Sequence, residues 1–154
     1  MSTHCFVDAS HGNNRATCRS QTGILLFCNK APVLRYSKRQ NTVEASTFGS
    51  EFQALKNAIE LIEALRYKLR MFGVPINGPT NIFCDNEAVT KNTTLPESTL
   101  KKKHHSIAYH RRQEAVAAGT IRVAKDLTAT NLSDLFTKLI PQIRRDELLD
   151  RFTY

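Results

Sequence analysis

The chain has 154 residues, 41% of them hydrophobic, enough for one domain with a real core and too short for two, so one globular unit over residues 1–154 is expected. Lys and Arg number 22 against 14 Asp and Glu, giving a net charge of +8, which favours an anionic partner and nucleic acid first. No apolar run reaches the length of a membrane span and the N-terminus lacks the basic-then-apolar layout of a signal peptide, so a soluble, intracellular protein with no membrane partner is expected.

The first element is "CFVDAS", a short apolar run that ends in an aspartate. After the polar stretch "HGNNRATCRSQTG" come "ILLFCN" and "VLRYSKRQ", and the three runs read as an antiparallel meander. From Phe48 the period changes. Phe52, Leu55, Ile59, Ile62 and Leu69 recur at helical spacing, which predicts a long helix ending near Gly73 and Pro75. "TNIFCDN" predicts a fourth strand, with a short helix from Glu87 after it, and "NTTLPESTLKKK" a polar loop. "HSIAYHRRQEAVAAG" predicts a helix closed by Gly119, "TIRVAKDL" a fifth strand, and "NLSDLFTKLI" a last helix. The four cysteines show no CxxC pairing, and three lie in apolar strand-like runs. Reduced thiols acting as small hydrophobes are expected.

Four carboxylates fall at element ends in this reading. Asp8 ends the first strand, Asp85 ends the fourth, Glu51 sits in the first turn of the long helix, and Asp134 in the first turn of the last. Glu51 precedes Leu55, Ala58 and Ile62 on the apolar face, so it points toward the strands. If strands one and four are adjacent and parallel, Asp8 and Asp85 share one edge of the sheet. Each carboxylate also has a plain explanation: Asp85 and Asn86 as helix caps, Asp134 as an acidic third residue after Asn131, Glu51 against a helix dipole, Asp8 starting a turn. As a set those explanations weaken, because partly buried like charges are costly without a cation. Hard oxygen ligands suit Mg²⁺ or Mn²⁺, and a pair of such ions is a recurrent device for cleaving phosphodiesters.

These residues resemble the ribonuclease H domain of copia-type LTR retrotransposons. "FVDAS" resembles the family's opening metal-binding strand, and "YSKRQNTVEASTFGSEFQAL" is similar to its S-K-K-Q-x-T-V-x-x-S-S-T-E-A-E-Y block. "IFCDNEAV" is similar to C-D-N-x-x-A, "KHHSIAYHRRQE" to K-H-I-D-I-R-Y-H-F-I-R-E, and "TATNLSDLFTKLIP" to T-x-x-Q-L-A-D-I-F-T-K-P-L-P. Five blocks in order over nearly the whole chain make the match specific. The resemblance implies an α/β ribonuclease H-like fold, a five-stranded mixed sheet with three antiparallel strands first and helices on its faces. It also implies two-metal hydrolysis of the RNA strand of RNA–DNA hybrids during reverse transcription. Asp8 would bridge both Mg²⁺ or Mn²⁺ ions, Asp134 would help hold the ion that activates water, and Glu51 with Asp85 the ion near the leaving oxygen. The implied partner besides the hybrid is a reverse transcriptase domain of the same polyprotein, in a cytoplasmic retrotransposon particle or in the nucleus.

Three positions depart from the family pattern: Ser106 replaces an Asp, Arg111 an aromatic, and Ser50 stands where small residues alternate. No histidine lies between Glu114 and Asp134, where cellular ribonucleases H carry a flexible one. "KKKHHSIAYHRR" is a basic patch able to grip phosphates, from which Lys101, Lys102, Lys103, His104, His110 and Arg111 are expected substrate contacts, with a solvated helix face as the plain alternative. Lys38, Arg39 and Gln40, with Asn86 beside Asp85, complete the expected nucleic-acid set. The rival readings are a catalytically silent hybrid-binding module supporting a reverse transcriptase, and an integrase or transposase core, which needs a late helical Glu where this chain has Asp134.

Overall fold

The computed structural model describes residues 1–12, 16–94, 106–127 and 129–151. Three strands, β1 (Thr3–Ser10), β2 (Gln21–Cys28) and β3 (Ala31–Arg39), form the expected antiparallel meander. Asn29 makes the tight β2–β3 turn at a positive φ of 54°, a conformation Asn tolerates better than most residues. Its side chain also accepts from the Ser2 backbone N–H at 3.0 Å.

Helix α1 (Thr47–Met71) begins at Ser46, whose hydroxyl accepts from the Gly49 N–H. It stops where Gly73 turns left-handed (φ 69°) and the Val74 N–H bonds back to the Leu69 carbonyl, a Schellman ending. The chain then enters β4 (Thr80–Cys84), parallel to β1, and Asn86 caps α2 (Glu87–Thr94) by accepting from Ala88 and Val89. Helix α3 (Ser106–Ala117) closes at Gly119 and leads into β5 (Ile121–Lys125), parallel to β4. The sheet order is β3-β2-β1-β4-β5. This is the expected five-stranded mixed sheet.

Alternation along β1 sends Cys5, Val7 and Ala9 to one face, where they meet Leu55, Ala58, Ile59 and Ile62 of α1 with Ile24, Leu26 and Ile82 in the main core. Phe6 faces the other way, into a smaller core with Leu25, Phe27, Leu132 and Leu148. The last part of the chain differs from the expectation. "NLSDLFTKLI" is not an α-helix: only Leu132–Phe136 is helical, as a 3-10 turn, and a further helix α4 (Gln142–Leu149) follows Pro141. Leu132 and Leu135 pack on the second core while Leu139 is fully exposed, so the apolar spacing does not continue onto the sheet. None of the described helices is long and apolar enough to cross a membrane. Cys5 and Cys84 are buried, Cys28 half-buried and Cys18 exposed, and all four are free thiols.

Candidate active site

Strand pairing brings the first two carboxylates together. β1 and β4 run parallel with Val7 opposite Cys84, so Asp8 and Asp85 leave adjoining strands side by side. Asp8 lies two residues inside β1 rather than at its tip, and it is almost fully buried. Opposite it on β2 is Gly23. A Cβ there would sit 2.6 Å from Thr137 Cγ2 and 2.8 Å from the Ser133 carbonyl, so a bare backbone is what lets the 3-10 turn lie against the sheet beside Asp8.

That turn carries Asp134 and is fastened at both ends. Asn131 caps it by accepting from the Ser133 N–H, while its own Nδ2 donates to the Val7 carbonyl at 3.1 Å. At the far end the Thr137 hydroxyl donates to Asp8 Oδ2, and the Ser37 hydroxyl donates to the Phe136 carbonyl at 2.7 Å. Glu51 arrives from the other face of the sheet, in the second rather than the first turn of α1, on the stripe that includes Leu55, Ala58 and Ile62. The turn before it is held by Gln40, whose Nε2 donates to the Ser50 carbonyl at 2.7 Å and to Thr22 Oγ1 at 3.0 Å. Ser50 is fully buried and donates to the Thr47 carbonyl, which accounts for a small residue there.

The four carboxylates act on one another. Glu51 is pushed up to about 7, first by burial and then by the charges of Asp85 and Asp8, against a hydrogen bond with Asn86 and the charge of Lys138. Asp134 is likewise raised, by burial and by Asp8, with Lys138 opposing. Lys138 is the cation of the cluster: its amino group lies 2.6 Å from Asp134 Oδ1 and 3.3 Å from Asp8 Oδ2. Burial works to lower its pKa, but the bond to Asp134 and the two negative charges more than offset that, so the group stays protonated.

The donor set suits a hard divalent cation. Glu51, Asp85 and Cys84 offer ligand atoms within 4.8 Å of one another, but the Cys84 sulfur, whose thiol burial pushes up to about 12, is a soft donor ill-matched to a hard cation. The carboxylate oxygens remain. Glu51 Oε2 is buried without a hydrogen-bond partner, and Lys138 shows that the Asp8–Asp134 side accepts a cation. Oxygen donors, excess negative charge and an unsatisfied carboxylate atom fit Mg²⁺ or Mn²⁺.

The expected nucleic-acid contacts divide. Lys38 and Arg39 are exposed at the end of β3, beside a polar hollow of about 130 Å³ that Asn41, Gln53 and Asn57 also line. Gln40 is a correction: it is buried and braces α1, because both hydrogens of its amide are taken by protein acceptors. Asn86 serves as the α2 cap next to Glu51. His110 is exposed, and Arg111 bonds Glu63 of α1 at 2.7 Å and faces Glu114, so the departure at Arg111 supplies a tie between α3 and α1. Lys101, Lys102, Lys103 and His104 lie outside the described residues. The sequence reading missed Gly23, Thr137 and Lys138, and it placed Asn131 ahead of Asp134 at the start of its helix, as observed, without the bond that ties it to β1. The one available signal was that Thr137 and Lys138 sit inside the matched "LFTK" block.

No protein-family model matches the chain. It is similar to the retrovirus-related Pol polyproteins of Arabidopsis thaliana transposons RE2 (25% identity over 93% of the chain) and RE1 (27% over 90%), and to that of Nicotiana tabacum transposon TNT 1-94 (27% over 89%). The chain spans about a tenth of the length of these relatives. Among solved structures it is similar to LC11-RNase H1 in complex with an RNA/DNA hybrid (TM-score 0.65, 13% identity, 88% of this chain and 94% of that one). It is also similar to RNase H1 of Halobacterium salinarum (0.64, 18%, 97% and 98%), and to the foamy viral protease-reverse transcriptase with an RNA/DNA hybrid (0.60, 14%, 94% and 20%). The chain therefore has the ribonuclease H fold, and the curated proteins it is similar to are retrovirus-related Pol polyproteins of plant transposons.

Proposed function

We propose that the chain is a metal-dependent endoribonuclease that hydrolyses the RNA strand of RNA–DNA hybrids during retrotransposon reverse transcription, beside a reverse transcriptase domain of the same polyprotein. The observation that carries this reading is the meeting of Asp8, Glu51, Asp85 and Asp134, brought from two strands, a helix and a 3-10 turn to one edge of the sheet. Helix capping and turn formation give four such residues no reason to meet. The likeness to hybrid-bound ribonucleases H and to a reverse transcriptase supports the substrate and the partner.

When bound, a pair of divalent ions would supply an activated water and neutralise charge on the phosphodiester. Asp8, Glu51, Asp85 and Asp134 would hold them. The chain's own part is to keep those oxygens converged: Thr137 orients Asp8, Asn131 anchors the turn of Asp134 to β1, and Gln40 fixes the backbone that precedes Glu51. Lys38, Arg39, His110 and the run Lys101, Lys102, Lys103 and His104 would meet phosphates, in keeping with the net charge of +8. The test is cleavage of a labelled RNA–DNA hybrid with Mg²⁺ or Mn²⁺, beside double-stranded RNA and DNA controls and the Asp8→Asn variant. RNA-strand cleavage of the hybrid alone, lost in the variant, is the expected result. Hybrid binding without cleavage at any ion concentration overturns the enzyme reading in favour of a silent binding module.

A further inference from the structure

Asp8 and Asp134 already share a positive charge. Lys138 reaches both, at 3.3 and 2.6 Å, from a stem whose side chain is 38% exposed, whereas no ion pair of Glu51 occurs among the described residues and its Oε2 is buried without a hydrogen-bond partner. Among the described residues the site is therefore lopsided: the Lys138 amino group pairs with Asp8 and Asp134, while no ion pair reaches Glu51. A lysine follows Asp134 by one turn, so Lys138 reaches that carboxylate from the same short segment that delivers it.

We propose that Lys138 is a built-in competitor for the divalent cation, neutralising the Asp8–Asp134 side in the ion-free protein and withdrawing before an ion can be held there. This rests on the metal-dependent reading above. The Glu51 side then fills first and the Asp134 side is the weaker of the two. An ammonium on a flexible four-carbon stem can leave for solvent at small cost, since its head is already partly wet. The phosphates of an incoming strand would draw it outward, which couples occupancy of the weak side to substrate. Without Lys138, Asp8 and Asp134 would face each other uncompensated, the circumstance in which loss of one partner of a buried pair is most destabilising.

The experiment measures ion binding directly, by calorimetric titration with Mg²⁺ and by thermal unfolding in EDTA and across the same Mg²⁺ range, for the wild type, Lys138→Met and Lys138→Arg. The expected wild-type isotherm has a strong and a weak step. Lys138→Met should melt lower than wild type in EDTA and strengthen the weak step by roughly tenfold or more, the size expected when a unit charge a few ångströms from a partly buried site is removed. Lys138→Arg, which keeps the charge, should stay near wild type in both. If Lys138→Met does not fold in EDTA, refolding by Mg²⁺ below the wild-type midpoint supports the proposal and failure to refold overturns it. Unchanged melting and an unchanged weak step in Lys138→Met overturn it too, while leaving the metal-dependent reading in place because the wild type still binds. Absence of Mg²⁺ binding in all three proteins overturns both.

Discussion

Replacing Glu51 by Gln should stabilise the ion-free protein at alkaline pH, although it disables a residue assigned to the site. Glu51 is pushed up to about 7 by burial, then by Asp85 and Asp8, so the folded protein holds this proton more tightly than the unfolded chain does. A group raised in this way contributes stability that is fully present below its unfolded pKa of about 4.3 and is lost as pH rises through about 7. Taken at face value the shift corresponds to about 4 kcal/mol. Glu51 is only half-buried and solvent screens the repulsion, which brings the figure to about 1–2 kcal/mol. For a chain of this size that is a rise in melting temperature of about 2–8 °C for Glu51→Gln over wild type at pH 8 in EDTA, with little difference at pH 4. Saturating Mg²⁺ at pH 8 should reverse the order, because the ion stabilises only the protein that binds it tightly. Circular-dichroism melting curves at the two pH values, with and without Mg²⁺, make the comparison. An advantage of equal size at pH 4 and pH 8, or a loss of stability at pH 8 in EDTA, would refute the account of the charge cluster.

Asp8→Asn should abolish hybrid cleavage without the gain expected of Glu51→Gln, because Asp8 accepts from Thr137 and is ion-paired with Lys138, favourable contacts that the substitution weakens; a labelled-hybrid assay beside a melting curve checks both halves. Neutralising Lys101, Lys102 and Lys103 should weaken hybrid binding and flatten its salt dependence by roughly 0.7–0.9 of a log–log slope unit for each phosphate that is no longer neutralised. An unchanged slope in binding titrations at several salt concentrations would return that run to a solvated surface. Gly23→Ala should cost about 1–3 kcal/mol, as overpacking does, and reduce cleavage as well, since the added Cβ meets Thr137 and the Ser133 carbonyl. Wild-type melting and wild-type cleavage in that variant would show that the 3-10 turn does not depend on its close approach to β2.

The strands, the long helix and the four carboxylates were legible because each rests on a local pattern. Phe52, Leu55, Ile59 and Ile62 repeat at the helical period, and all four are buried; Asp85 follows directly on an apolar run that is a strand. The last segment was not legible for the opposite reason. Leu132, Leu135, Phe136 and Leu139 have helical spacing, but the Asn131 and Thr137 bonds to β1 fix the turn flat against the sheet, and Pro141 follows two residues after the exposed Leu139. Helix α4 buries only Leu148, too little to leave a stripe in the sequence. Gln40 read as a phosphate contact because it follows Lys38 and Arg39, and only its bonds to Thr22 of β2 and Ser50 of α1 show its amide turned inward.

The residues that assemble the site carry less sequence signal than those that form it, and the reason is physical. A carboxylate at a strand end stands out because its charge needs explaining where it sits. Gly23 has no such mark: a glycine within a strand reads as a weak point, and its purpose depends on a 3-10 turn that arrives more than a hundred residues later. Lys138 reads as an ordinary partner for Asp134 one turn away, and only the close approach to Asp8 gives it a second carboxylate. The same approach gives Thr137 its acceptor. One bare position on β2 thus governs three features at once, the depth of the turn, the hydrogen bond on Asp8 and the reach of Lys138. A substitution there should move all three together, whereas Thr137→Val should remove the hydrogen bond on Asp8 and leave the turn seated, its methyl Cγ2 still against Gly23.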